Sequence, residues 1–116
     1  MGYESRVIIA RRGVLEGYAE NIAEFNLCKI DGEFLNLFDK EYEGEFYDFY
    51  EGNTPIKEDR YGDALKYTTF SKVYEWLLNN AFEAHYRRYD VLLGAMEAVR
   101  RGWSEIDDFI IIHYGY

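Results

Sequence analysis

The chain holds one cysteine, Cys28, one proline, Pro55, and two histidines, His85 and His113. A lone thiol makes no internal disulfide, so a reducing cytoplasm is the simplest home for it. One cysteine and two distant histidines supply neither zinc spacing nor a recognisable nucleophile and base. A buried free thiol is the commoner fate of such a cysteine. With one proline there is no Pro-rich linker, and no internal repeat or low-complexity tail is visible. Long apolar runs are absent too. Val7 to Ala10 and Phe109 to Ile112 are the longest, far short of the roughly 20 residues of a membrane-spanning helix. Met1 is followed by Gly2, Tyr3 and Glu4, not by a basic region and an apolar stretch, so no ordinary secretion signal is expected. The glycines form neither a phosphate-binding loop nor a dinucleotide fingerprint.

What the sequence does have is aromatic residues and acid. Aromatics make up 19% of 116 residues and hydrophobics 48%, enough apolar material to offset chain entropy in one domain. The net charge is −9, and it is unevenly placed. Asp31 to Asp63 holds eleven acids against three bases, a balance of −8, which leaves −1 for the other 83 residues. Such a segment attracts cationic partners and repels nucleic acid.

Ser5 to Ala10 is rich in β-branched residues and stops at Arg11-Arg12-Gly13, which predicts a first strand. Glu20 to Ile30 is mixed: Tyr18, Ile22 and Phe25 have helical spacing, while Ala23, Phe25 and Leu27 alternate, and strand is the preferred reading. Asp31-Gly32 suits a tight hairpin turn, with Phe34 to Phe38 as the return strand. Leu35, Phe38, Tyr42, Phe46 and Phe49 also fit a helical stripe, so both readings stand. Glu45 to Tyr50 reads as a strand ended by Gly52-Asn53-Thr54-Pro55, where Thr54-Pro55 starts a short helical turn. Ala64 to Thr68 reads as another short strand. Phe70, Val73, Trp76, Leu77 and Ala81 then share one helical face behind a Thr68 or Thr69 cap. After a break at Asn79-Asn80, Tyr86, Tyr89, Leu92, Leu93, Met96 and Val99 mark a second helix that ends at Arg100-Arg101-Gly102. Phe109 to Tyr114 is a closing strand. The expected fold is a single α+β domain over residues 1–116: a small, mainly antiparallel sheet of about four to five strands, two helices in the C-terminal half and a last strand at the C-terminus.

Asp39 to Phe46 resembles the opening of an EF-hand loop, with oxygen ligands at positions one, three and five and Gly44 at six. The likeness fails at position twelve, which is Tyr50 where a bidentate Glu is required, so no metal and no cofactor is expected. The same stretch reads better as a recognition surface. On an extended chain Asp39, Glu41, Glu43 and Glu45 project to one side roughly 6.6 Å apart, a row of carboxylates able to occupy a groove built for phosphates. With Tyr47, Asp48, Tyr50 and Glu51 they form the expected partner-binding set, and no catalytic residue is assigned. The bland alternative is a solvated edge kept acidic against aggregation. Arg87-Arg88 and Arg100-Arg101 suggest a basic helix face, or salt bridges to Glu83 and Glu97. A small metal-dependent hydrolase using scattered carboxylates and His113 is a further alternative.

The opening Met1-Gly2-Tyr3-Glu4-Ser5-Arg6, the central Asp59-Arg60-Tyr61-Gly62-Asp63-Ala64-Leu65 and the ending Ile112-His113-Tyr114-Gly115-Tyr116 resemble stretches of small acidic bacteriophage proteins. The likeness covers the two ends and the middle, holds no catalytic signature and carries over no functional residue. It implies an interaction protein acting in the host cytoplasm that blocks a host factor. Anti-CRISPR proteins that fill the DNA-binding channel of an effector nuclease are similar in size and charge. The implied partner is a basic host protein such as a nucleic-acid-guided nuclease, with no membrane and no direct nucleic-acid contact through the acidic segment. An accessory or assembly role is the alternative, with a homodimer formed through Tyr3, Tyr114-Gly115-Tyr116 and other exposed aromatics.

Overall fold

The computed structural model describes residues 4–12, 18–30, 32–41, 45–47, 55–56, 62, 64–84, 87–103 and 106–115. Four strands carry most of the sheet: β1 (Ser5–Arg12), β2 (Tyr18–Cys28), β6 (Lys66–Thr69) and β7 (Phe109–Gly115). Three short ones, β3 (Lys40–Glu41), β4 (Glu45–Tyr47) and β5 (Pro55–Ile56), extend it to seven in the order β3-β6-β7-β1-β2-β4-β5. Every neighbouring pair is antiparallel except β2 with β4. A short α1 (Gly32–Leu35) follows β2, and α2 (Phe70–Ala84) and α3 (Arg87–Gly102) precede the last strand. The α+β class, the mainly antiparallel sheet, the two C-terminal-half helices and the closing strand are as expected. No helix among the described residues is long and apolar enough to cross a membrane.

The central strands show why the apolar runs are unbroken. On β1 and β7, Val7, Ile9, Phe109 and Ile111 join the core beneath the helices, while Ile8, Ala10, Ile110 and Ile112 form a second cluster with Ala19 and Leu65. Both faces are buried, so period-two alternation of polarity disappears. The mixed period of β2 has a different cause. Ile9 pairs with Ala23 and Ala10 with Asn21, so Ile22 is an extra residue on β2. Leu27 is a second one, between the Arg6–Asn26 and Ser5–Cys28 pairs. Such bulges place consecutive residues toward one face, and Ile22 and Ala23 both pack on the helix-side core.

Three local expectations are corrected. Gly32 opens a helical turn and not a hairpin, because Phe34 and Phe38, four residues apart, both drop into the core with ring centroids 5.5 Å apart. Phe34 also meets Trp76 of α2 at 5.0 Å and Tyr89 of α3 at 5.2 Å, and these contacts outweigh the turn preference of the dipeptide. Pro55 begins β5 at the sheet edge, a position where its missing N–H leaves no ladder bond unmade, so no helical turn starts there. The chain does not break at Asn79-Asn80, and α2 continues to Ala84. Asn costs a helix interior only about 0.6 kcal/mol relative to Ala, whereas Phe70, Val73 and Leu77 are buried on the same helix. Thr69 is the cap, since its Oγ1 accepts from the Lys72 amide at 3.3 Å. Thr69→Ala should therefore destabilise the fold by about 1 kcal/mol in urea melts, with Thr69→Ser restoring most of the loss.

One covalent constraint shapes the whole sheet. In a flat sheet, β3 and β4 would lie five strand intervals apart, about 24 Å. Yet Glu41 and Glu45 are four residues apart in sequence, and that length of chain reaches at most about 14 Å. The sheet must curl strongly, bringing its β3 edge toward β4. A curl toward the Ile8–Ile112 face accounts for its burial, because α2 and α3 pack on the opposite side.

Candidate interaction surface

The acidic candidates divide between two places. Asp39 and Glu41 are exposed at one edge, where Lys40–Glu41 pairs with Lys66–Tyr67 of β6. Glu45 and Tyr47 belong to β4, which runs beside the start of β2. Lys40–Glu41 and Glu45–Tyr47 are therefore separate short strands paired with different neighbours. Strand pairing decides this, and pairing partners are distant in sequence. Glu43, Asp48, Tyr50 and Glu51 lie outside the described residues.

The β3 end is also partly neutralised. Asp39 Oδ2 stands 3.8 Å from Lys72 Nζ, and Glu41 sits directly across from Lys66. The Asp39–Lys72 pair is about half exposed on both sides, so it contributes at most about 1 kcal/mol. Glu33 and Glu41 make no ion pair within 4.0 Å among the described residues. Lys40, Lys66 and Lys72 nevertheless interrupt the negative field here. Within the EF-hand-like stretch Lys40–Glu41 and Glu45–Tyr47 are extended, and its other loop positions after Glu41 lie outside the described residues.

The basic pairs behave differently from one another. Arg88 donates through Nη1 to the Asn26 carbonyl, tying the start of α3 to the end of β2. Asn26 is itself a junction: Nδ2 donates to Glu4 Oε2 at 3.1 Å, and Oδ1 accepts from the Cys28 amide at 2.8 Å. That side-chain turn holds Cys28 at a φ of 58°, a left-handed conformation uncommon outside glycine. Cys28 is half-buried, not sealed in the core. At the other end of α3, Arg100 lies 4.7 Å over the Tyr74 ring and donates to Tyr74 Oη at 2.7 Å. Neither Arg100 nor Arg101 forms the expected salt bridge to Glu97, and the Glu83 side chain lies outside the described residues. These three α3 side chains line an open recess of about 370 Å³. Trp103 follows it, 37% exposed, with its ring edge-on to Phe109 at 5.3 Å. Sequence reading named the arginines and missed Tyr74 and Trp103, whose aromatic character alone does not separate core from surface.

His113 is 6% exposed and shares a 3.0 Å hydrogen bond with the hydroxyl of Ser5, itself 1% exposed. The Phe38 ring packs 5.6 Å away. This polar pair joins the facing ends of β1 and β7 inside the fold. Compared with family models, curated proteins and solved structures, the chain matches none.

Proposed function

We propose that the chain is a non-enzymatic, phage-type binding protein whose acidic segment engages a basic host surface, a nucleic-acid-guided nuclease being the preferred target. The supporting observation is the −8 balance confined to Asp31–Asp63. With Lys66 and Lys72 beside Glu41 and Asp39, the stretch from Glu43 to Glu51 supplies most of the attraction. Charge of this density raises association rates and partner selectivity more than bare affinity. An enzymatic reading gains no support from His113, which is 6% exposed and hydrogen-bonded to the buried Ser5 hydroxyl.

The test uses purified protein and candidate guided nucleases. Inhibition should weaken with added salt, and should fall at least about tenfold when Glu41, Glu43 and Glu45 are changed together to Gln. Full inhibition by that triple variant would remove the acidic segment as the active element.

A further inference from the structure

We infer that the outward face of α3 is a self-association surface, on which α3 of a second copy of this chain lies antiparallel. α3 packs on the core through Tyr89, Leu92, Met96 and Val99. At about 100° per residue, the side turned away from that core is centred on Gly94, with Arg87 and Arg101 two turns before and after it. Asp90 and Glu97 run along one flank and Val91 and Ala98 along the other, and all of these residues are exposed.

Two observations mark this face as a contact. Val91 is 59% exposed, the most open of the large hydrophobic residues among those described. Gly94 is the second. Glycine is the least favourable non-proline residue in a helix interior, yet a Cβ here would meet no atom within 4 Å, and positive φ is confined to Gly62 among the described glycines. Packing among the described residues therefore gives no reason for a glycine at the crest of α3, whereas a second backbone coming close to the crest does.

Charge and shape select the occupant. The two arginines balance the two acids, so this face is neutral in a chain of net charge −9. A basic partner gains more at the acidic segment, and a nucleic acid needs a positive surface. A second copy meets no net charge here, and at 0.1 M salt the remaining charges are screened beyond about 10 Å. The face also complements itself. A two-fold axis through Gly94 sets like flanks side by side, and residues at equal distances before and after Gly94 come level with each other. Val91, three places before, then meets Ala98, four places after, of the second copy, and the contact is made twice. At each end Glu97 and Arg101 of one copy meet Asp90 and Arg87 of the other, two anions with two cations. The crest glycines let the helix axes approach toward the lower end of the usual separation of about 8–10 Å. A contact of one helix face is smaller than a standard interface, so a weak dimer in exchange with monomer is the form expected.

Disulfide trapping reads the register. In a Cys28→Ser background, Gly94→Cys lies at the axis and should cross-link to itself under mild oxidation, and Val91→Cys should cross-link to Ala98→Cys when the two variants are mixed. Ala98→Cys alone should not, because the two copies of position 98 stand about 12 Å apart along the helix, beyond disulfide reach. Sedimentation equilibrium up to about 1 mM protein should show the parent chain as a mixture of monomer and dimer. Gly94→Gln should weaken the dimer at least about tenfold, because a side chain at the crest holds the axes apart. Its urea midpoint should stay at or above the parent's, since Gln is the better helix former. A monomer throughout, cross-links that form equally well in all three experiments, or a Gly94→Gln variant that dimerises like the parent overturns the proposal. The outcome is separable from nuclease binding: Gly94→Gln keeps the acidic segment, so it should inhibit as well as the parent chain.

Discussion

Phe34→Ala is expected to lower the unfolding free energy by about 3–5 kcal/mol, a large part of the roughly 5–15 kcal/mol available to a domain of this size. Phe34 is fully buried, and its ring touches Phe38, Trp76 and Tyr89. It is the point where the short α1 joins the two long helices. Removing it leaves a cavity bounded by three aromatic side chains that are each held from a different element, so little collapse can fill the space. Phe34→Leu should cost distinctly less. Urea denaturation of the three proteins gives the comparison, with an unchanged slope showing that native and unfolded compactness are unaltered. A loss below about 1 kcal/mol for the alanine variant would mean that α1 is not packed as described.

The second large effect concerns the sheet face away from the helices. Ile112 lies on it between Ile8 of β1 and Tyr67 of β6 and is fully buried. Ile112→Ala should cost about 2–5 kcal/mol. Ile112→Lys should be worse, because an ammonium group there loses water and gains no counter-charge in the aliphatic cluster, and unfolding of the domain at room temperature is the expected result. In an ordinary two-layer arrangement with one face in water, the lysine would be tolerated. Circular dichroism melts of the two variants therefore test the curl of the sheet. A lysine variant as stable as the parent would contradict it.

These features were unequally legible in the sequence. The spacing of Phe70, Val73 and Leu77, and of Tyr89, Leu92, Met96 and Val99, gave both helices, because a helix face is a local property of one short stretch. The β-branched runs of β1 and β7 gave the central strands for the same reason. β2 was legible as a strand only against a conflicting helical period, and that conflict came from the bulges at Ile22 and Leu27. Bulges depend on the partner strand and leave no local signature. Gly32 and Pro55 misled because their turn preferences are small beside the contacts that Phe34 makes and the freedom that a sheet edge allows. The candidate surface divides in the same way. Its total charge is a property of composition and needs no fold. The placement of Glu41 beside Lys66, and of Glu45 beside the start of β2, follows from pairing of β3 with β6 and of β4 with β2. Such pairings join residues more than twenty places apart.

The most direct measurement is an amide chemical-shift titration of the labelled protein with an arginine-rich peptide, at low salt and again at about 0.5 M. The account predicts shifts centred on Glu43–Glu51, weaker ones at Asp39 and Glu41, none on α3, and loss of all of them at high salt. Shifts spread evenly over the surface, or none in that stretch, would contradict it.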